Sequence, residues 1–136
     1  LILGAGEEKQ EIENTISKLR LEGRVILMGF VTNPFPYFRQ ASLFVHAVRW
    51  EGFGNVLVEA LGIGLPIVAS VAPGGIKEVL SNGKYGELVP VGDDKQLAIA
   101  MEKMLSSPPT VEYQQKGAKE FSLPPMVYKF DIINNF

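Results

Sequence analysis

Short apolar runs alternate with segments of helical periodicity along most of this chain. The apolar runs predict five strands, at residues 1–3, 25–28, 43–45, 66–69 and 85–89. Apolar positions at helical spacing predict helices over residues 7–21, 33–40, 55–63, 75–80, 93–105 and 110–121. The pattern weakens after Phe121. We therefore expect one domain over residues 1–122 and a C-terminal helix or tail over residues 123–136.

The predicted strands are apolar throughout rather than alternately apolar and polar. Such strands are typical of a parallel sheet that is covered on both faces, and their alternation with helices is typical of α/β proteins. We therefore expect a Rossmann-like open parallel sheet with helices on both faces. Ligands of such sheets bind at the carboxyl ends of the strands. The turns at residues 4–6, 29–33, 46–54 and 70–75 all follow predicted strands.

The composition narrows the range of functions. The 136 residues are 46% hydrophobic and 21% charged, as in ordinary globular proteins. A net charge of −2 gives no reason to expect nucleic acid as a partner. Without cysteine the chain can form neither disulfides nor thiolate metal sites. No apolar run reaches the roughly 18 residues that a membrane span needs.

Candidate chemistry is concentrated between Trp50 and Gly75. Glu51 and Glu59 lie eight positions apart, and a turn of Gly52, Phe53 and Gly54 leads from the first of them into a predicted helix. Free backbone amides at a helix start suit a phosphate group, and carboxylates suit the hydroxyls of a sugar or ribose. The alternative is a loop with a capped helix and no ligand. For a lone Gly-x-Gly turn before a helix, this structural explanation is favoured by about three to one.

Glu59 is harder to explain as a structural residue. It stands among apolar neighbours in the predicted helix 55–63, and burying an unpaired carboxylate costs several kcal/mol. Glu59 therefore either faces solvent on a mostly buried helix or has a specific partner. A ribose diol would serve, because one carboxylate can accept from two adjacent hydroxyls.

These motifs together resemble those of the donor-binding half of the retaining glycosyltransferases of family 4, which have the GT-B fold. The family signature places two glutamates eight positions apart around a Glu-Gly-Phe-Gly turn, as in residues 51–60 here. Further matches follow in order at residues 64–69, 74–78 and 82–89, and one stands upstream at residues 29–31. The resemblance covers about residues 1–106, and its several ordered motifs make it specific.

The resemblance implies a role for each matching position. Glu51 would contact the donor sugar as the catalytic residue, and Glu59 would hold the ribose hydroxyls. Gly52, Phe53, Gly54 and Asn55 would offer amides to the sugar and diphosphate, while Gly29, Phe30 and Val31 would lie by the base. The family transfers a sugar from a nucleotide diphosphate sugar with retention and without a metal, so we expect no cofactor and no metal site. The expected acceptor is a sugar or a lipid-linked glycan in polysaccharide or glycolipid synthesis.

The chain also departs from the family pattern. Ala47 and Val48 stand where the family usually has Pro-Ser. The Arg and Lys that neutralise the diphosphate in the family would precede residue 1, as would the N-terminal acceptor-binding domain. We therefore expect a missing N-terminal domain and an inactive isolated chain that binds nucleotide only weakly. We also expect a cytoplasmic location, with any attachment to the inner face of the membrane made through that missing domain.

Other residues favour structural explanations. His46 is the only histidine and ends a predicted strand, which gives it about one chance in four of touching substrate. Trp50 and Phe53 could flank a sugar, but core packing is at least as plausible. Asp93 most simply caps a helix. Two functions stay open: the donor-binding domain of a sugar transferase, and a nucleotide-sugar-binding module without transfer activity. An epimerase of the same fold would need isomerising residues that the sequence lacks.

Overall fold

A computed structural model describes residues 1–121. They fall into two compact units, Leu1–Tyr37 and the part that begins at Phe38. All strand pairings are parallel, which confirms the predicted α/β class. The strands form a two-stranded sheet in the first unit and a three-stranded sheet in the second. The predicted tail at residues 123–136 lies outside the described residues.

The first unit contains β1 (Ile2–Leu3), α1 (Lys9–Lys18) and β2 (Leu27–Gly29), with β1 paired to β2. Helix α1 ends earlier than predicted because Arg20 adopts a left-handed φ of 55°. The amide of Leu21 then bonds back to the carbonyl of Ile16 at 2.9 Å, a pattern that closes helix ends.

Helix α2 (Phe35–Phe38) is shorter than the predicted segment to residue 40. Its start agrees with the sequence, because the side chain of Asn33 accepts a hydrogen bond from the amide of Phe35 at 3.1 Å.

The second unit is built on β3 (Phe44–His46), β4 (Ile67–Ser70) and β5 (Glu87–Val89), hydrogen-bonded in that order. Its helices are α3 (Asn55–Ile63), α4 (Ile76–Val79), α5 (Asp94–Ser106) and α6 (Val111–Glu120). Each observed strand begins one or two residues after its predicted first residue. The bounds of α3 match the prediction. A short 3₁₀ turn at Ser81–Gly83 follows α4.

Strand β4 lies at the centre of the core. Val68 on one face packs with Val89 of β5 and with Ala100 and Met104 of α5. Side chains alternate along a strand, so Ile67 and Ala69 point to the opposite face, and both are fully buried. Helix α3 packs against the same strand and buries Leu57 and Leu61 completely. Burial of each leucine contributes about 1.5–3 kcal/mol.

The helix termini of the second unit follow the sequence signals. Asp93 accepts a hydrogen bond from the amide of Gln96 at 2.9 Å, which confirms its predicted role as a cap of α5. Thr110 caps α6 in the same way through the amide of Tyr113. Within residues 1–121, no helix is both long enough and apolar enough to cross a membrane.

Candidate donor-binding site

The turn between β3 and α3 contains one glycine that the backbone requires. Gly54 precedes the first residue of α3 with a φ of 88°, a left-handed conformation that is costly for residues with a Cβ. A Cβ there would also lie 3.1 Å from the Cδ1 atom of Leu57. Gly52 differs, because its φ is not positive and a Cβ would meet no atom within 4 Å. The local fold therefore requires glycine at position 54 but not at position 52.

The amides at the start of α3 have no internal acceptor. Within the part of the chain that the structure describes, the N–H groups of Phe53, Gly54 and Asn55 donate to no other group. Gly54 has no side chain to cap the helix. The positive end of a helix dipole with unsatisfied amides is suited to an anion. The turn predicted to hold a diphosphate is thus formed, and its three amides have no acceptor within the described residues.

The carboxylate of Glu51 is held from two sides. Its Oε2 atom lies 2.7 Å from Nε2 of His46, at the end of β3, and its Oε1 atom accepts a hydrogen bond from the amide of Gly52 at 2.8 Å. A carboxylate has about four acceptor positions. Two are used here, so about two stay available to hydroxyls of a ligand. The side chain of Glu51 is 25% exposed, which leaves it accessible.

The second glycine turn packs directly on the first. The amide of Glu51 donates to the carbonyl of Pro73 at 3.2 Å, and the amide of Gly75 donates to the carbonyl of Gly52 at 2.7 Å. A Cβ on Gly74 would lie 1.8 Å from the carbonyl oxygen of Glu51, and one on Gly75 would lie 2.4 Å from that of Phe53. The two turns predicted to share one edge of the sheet are therefore in contact, and glycine is needed for it.

Glu59 lies one helical turn after Asn55 on α3. Residues four apart share a helix face, and this face is less buried than the one that carries Leu57, Val58 and Leu61. Glu59 itself is half-buried. It stands on the same helix whose N-terminus forms the anion-binding turn, so both parts of the predicted nucleotide site are carried by α3.

The predicted base-proximal residues belong to the first unit. Gly29 ends β2 with a φ of 70°, and its carbonyl accepts a hydrogen bond from the amide of Gly4 at 2.8 Å. The turns after β1 and β2 thus adjoin each other. Phe30 is 77% exposed and Val31 is half-buried. The role of these residues beside a base stays a prediction.

Two aromatic residues of the turn are more accessible than core packing would require. Trp50 is 73% exposed, so of the two alternatives left open for it, core packing is not the one observed. Phe53 is 40% exposed. Arg49 is also exposed, and within the described residues neither Arg49 nor Lys77 forms an ion pair.

The contact between His46 and Glu51 is the feature that sequence reasoning missed. His46 was expected to be structural, whereas its imidazole meets the carboxylate assigned to the donor sugar. The available signal was its place at the end of a strand, five positions before Glu51 at the same sheet edge. Among residues 1–121, no three His, Asp or Glu side chains are grouped as metal ligands.

Comparison with known protein families identifies the chain. The family described as glycosyl transferases group 1 matches residues 1–121. The chain belongs to this family. Its predicted classification as a glycosyltransferase is thereby confirmed at the level of the family.

Several curated members of the group 1 glycosyltransferases are similar in sequence. One is the N-acetylgalactosamine-N,N'-diacetylbacillosaminyl-diphospho-undecaprenol 4-alpha-N-acetylgalactosaminyltransferase of Campylobacter jejuni, 34% identical over 77% of this chain and 29% of the relative. Another is the capsular polysaccharide biosynthesis glycosyltransferase CapM of Staphylococcus aureus, 32% identical over 78% of this chain and 28% of CapM. The chain thus spans less than a third of the length of each.

Solved structures agree with this family. HepE of Anabaena in complex with UDP superimposes with a TM-score of 0.74 at 28% identity, over 86% of this chain and 34% of HepE. HepE with UDP-glucose gives a TM-score of 0.79 at 25% identity, over 98% of this chain and 40% of HepE. The chain therefore shares its fold with GT-B glycosyltransferases, which confirms the predicted fold.

Proposed function

We propose that this chain is the C-terminal, donor-binding domain of a retaining glycosyltransferase of family 4. The full-length protein would transfer a sugar from a nucleotide diphosphate sugar to an acceptor in polysaccharide or glycolipid synthesis. One observation carries the proposal. An accessible carboxylate, Glu51, is fixed beside three uncommitted amides at the start of a helix that also bears Glu59.

Each group has a chemical task in this proposal. Glu51 accepts hydrogen bonds from hydroxyls of the donor sugar through the acceptor positions that His46 and Gly52 leave open. The amide of Gly52 is used by Glu51. The amides of Phe53, Gly54 and Asn55 contact the sugar and the diphosphate, and they stabilise the charge that develops as the diphosphate leaves. Glu59 binds the ribose hydroxyls, and residues 29–31 lie by the base. No metal is required in this scheme.

The turn alone is too weak for the diphosphate. A helix N-terminus contributes about 0.3–2 kcal/mol toward one negative charge, whereas a diphosphate leaving group carries more than one. Cations must therefore assist. We propose that an Arg and a Lys preceding residue 1 in the full-length protein supply most of this charge. Arg49 and Lys77 are the cations nearest in sequence to the two turns, and neither forms an ion pair with any residue that the structure describes.

The donor and acceptor classes rest on the relatives. HepE, whose fold this chain shares, was solved with UDP and with UDP-glucose. The Campylobacter relative is named as acting on an undecaprenyl diphosphate glycan, and CapM is named for capsular polysaccharide. We propose that an N-terminal domain of the same protein binds the acceptor, that the transfer takes place in the cytoplasm, and that the same domain makes any membrane contact.

The test is calorimetry and sugar transfer with the full-length protein. Binding of at least one nucleotide diphosphate sugar and turnover to an acceptor are expected. Glu51→Ala should abolish most of the turnover. Absence of binding to every donor would refute the donor-binding role, and turnover that survives Glu51→Ala unchanged would refute the role of Glu51. Binding without any turnover would favour a nucleotide-sugar-binding module instead.

The 136-residue chain alone should bind nucleoside diphosphates weakly and turn over no donor. A millimolar Kd, equivalent to about −4 kcal/mol, is expected because the cations and the acceptor half are absent from it. Submicromolar binding by the chain alone would contradict the proposed incompleteness of the site.

A further inference from the structure

We propose that His46 is a positioning residue that holds the Glu51 carboxylate in one orientation toward the donor sugar; this inference rests on the proposed role of Glu51. Both residues lie at the carboxyl edge of the second unit's sheet, and the Nε2 atom of His46 is 2.7 Å from Oε2 of Glu51. The amide of Gly52 holds the other oxygen at 2.8 Å. A carboxylate with one partner on each oxygen has a fixed plane, which one partner alone would not impose.

The imidazole is placed to act through Glu51 rather than on the sugar itself. The side chain of His46 is 13% exposed, whereas that of Glu51 is 25% exposed. A ligand can therefore reach the carboxylate more readily than the ring behind it. Pre-organised groups that a second layer of hydrogen bonds holds in place bind more tightly than groups that must be ordered by the ligand.

His46 is itself held firmly. Its backbone lies in β3 opposite Ala69 of β4, and its ring stacks on Phe44 with centroids 5.9 Å apart and planes 22° apart. The buried hydroxyl of Ser70 donates to the carbonyl of Val48 at 2.6 Å and lies 3.3 Å from the carbonyl of His46. This contact ties the loop after β3 to β4, so the support for Glu51 begins in the sheet.

The positioning role requires hydrogen on one particular nitrogen of His46. An ionised carboxylate only accepts hydrogen bonds, so Nε2 must be the donor. His46 is the only histidine of the 136 residues. A long-range ¹H–¹⁵N spectrum of this chain therefore reports the ring without ambiguity. A hydrogen on Nε2, with a ¹⁵N shift that moves in Glu51→Gln, is expected. A neutral ring with its hydrogen on Nδ1 would overturn the proposal.

The functional test separates sugar from nucleotide in the full-length protein. The donor is the one bound best among UDP-glucose, UDP-galactose, UDP-N-acetylglucosamine and GDP-mannose, and its nucleoside diphosphate is measured in parallel. Because Glu51 is assigned to the sugar, His46→Leu should weaken donor binding about tenfold and leave the nucleoside diphosphate affinity unchanged. His46→Gln restores a donor near the same place and should recover much of the loss.

Two further variants make the test specific. Val45→Ala alters the adjacent position of β3, whose side chain points to the other face, and should leave the donor-to-nucleotide affinity ratio unchanged. In a Glu51→Gln background, His46→Leu should have almost no further effect, because the two residues act as one unit.

The outcomes distinguish this inference from the function it rests on. If Glu51→Gln weakens donor binding and His46→Leu does not, the positioning role is refuted while the donor site stands. If His46→Leu weakens donor and nucleoside diphosphate equally, the role of His46 is general folding and the proposal fails. If neither variant changes donor binding, the role of Glu51 is itself refuted, and with it the positioning role.

Discussion

Two glycines of the candidate site are present for different physical reasons. Gly74 has a φ of 124°, and a Cβ would lie 1.8 Å from the carbonyl oxygen of Glu51 and 2.6 Å from that of Gly52. Gly52 meets neither constraint. Close approach of backbone to backbone explains the first glycine. Nothing among the described residues requires the second, and the proposed donor would approach the turn at this position.

Gly74→Ala should therefore destabilise the protein. The added methyl group forces the two turns apart and strains φ, so we expect a loss of about 2–3 kcal/mol in the free energy of unfolding. Denaturant unfolding followed by circular dichroism measures it. Gly52→Ala, in the partner turn, is the matched control and should change stability by less than about 0.5 kcal/mol. Equal effects of the two substitutions would show that the packing of the turns does not limit stability.

Gly52→Ala should nevertheless weaken donor binding. The turn at residues 52–55 is proposed to lie close to the sugar and diphosphate, and a methyl group at position 52 would intrude on that approach. We expect about tenfold weaker binding of the donor by the full-length protein, in calorimetry under conditions where the variant is fully folded. Unchanged affinity would mean that no ligand contacts the turn at Gly52.

At the scale of elements, α6 packs on the rest of the second unit through glycines and side-chain hydrogen bonds. A Cβ on Gly117 would lie 2.7 Å from Cγ of Tyr85, and one on Gly64 would lie 2.5 Å from Cγ1 of Val111. The buried side chain of Gln114 donates to the carbonyl of Leu65 at 2.7 Å. These contacts explain why a helix of modest apolar content packs so closely on α3.

Gly117→Ala tests whether close packing against Tyr85 outweighs the higher helix propensity of alanine. Alanine favours a helix by up to about 1 kcal/mol over glycine, whereas overpacking against a buried ring costs about 1–3 kcal/mol. Because the ring of Tyr85 is only 1% exposed and cannot move aside freely, we expect net destabilisation of about 1 kcal/mol. Thermal unfolding measures it, with the exposed Lys116→Ala as control. A rise in Tm for Gly117→Ala would show that the ring of Tyr85 moves to accommodate the added methyl group.

The end of α6 should also make stability depend on pH. Tyr85 donates to Oε1 of Glu120 at 2.6 Å. This hydrogen bond, with Lys84 3.4 Å away as a further cause, holds the pKa of the Glu120 carboxyl below its ordinary value of 4.5. A group with a lowered pKa in the folded state stabilises it above the unfolded pKa, and that stabilisation is lost as pH falls through the folded pKa.

We therefore expect Glu120→Gln to lower Tm at pH 7, with a difference from the wild type that shrinks as pH falls below about 4.5. Tyr85→Phe removes the main cause and should reduce the same pH dependence. Glu102→Gln on the exposed side of α5 is the control and should show no such trend. A Tm difference for Glu120→Gln that is constant from pH 3 to pH 7 would contradict this linkage.

At the scale of the whole molecule, periodicity predicts which elements exist because burial repeats with the period of the element. It locates α3 from Asn55 to Ile63. The glycines that flank this helix, Gly54 and Gly64, both adopt a left-handed φ. Strand limits are less well predicted, because the pairing partner sets them. His46 belongs to β3 since it pairs with Ala69, 23 positions away. The division into two sheets likewise depends on pairings that no local pattern encodes.

Those parts of the candidate site that depend on neighbouring residues in the sequence could be predicted. The Gly54 turn and its free amides follow from a glycine before an apolar helix. The contact of His46 with Glu51 depends on the path of residues 47–50, which Ser70 and Pro73 fix from other parts of the chain. The exposure of Trp50 depends on the same path. Long-range contacts of this kind leave no period or motif in the sequence.

The roles of Glu51 and Glu59 should be distinguishable in the 136-residue chain by a ligand that lacks the donor sugar. With a Kd near 1 mM, 10 mM nucleoside diphosphate adds about 1.4 kcal/mol to the stability of the 136-residue chain, a rise in Tm of about 3–6 °C. Among UDP, GDP and ADP, the one that gives the largest rise is used. Glu59→Gln should remove most of the rise because the ribose contact is lost, whereas Glu51→Gln should leave it intact because these ligands carry no sugar beyond ribose. The reverse pattern would exchange the roles of the two carboxylates, and loss in both variants would show that they act on the nucleotide together.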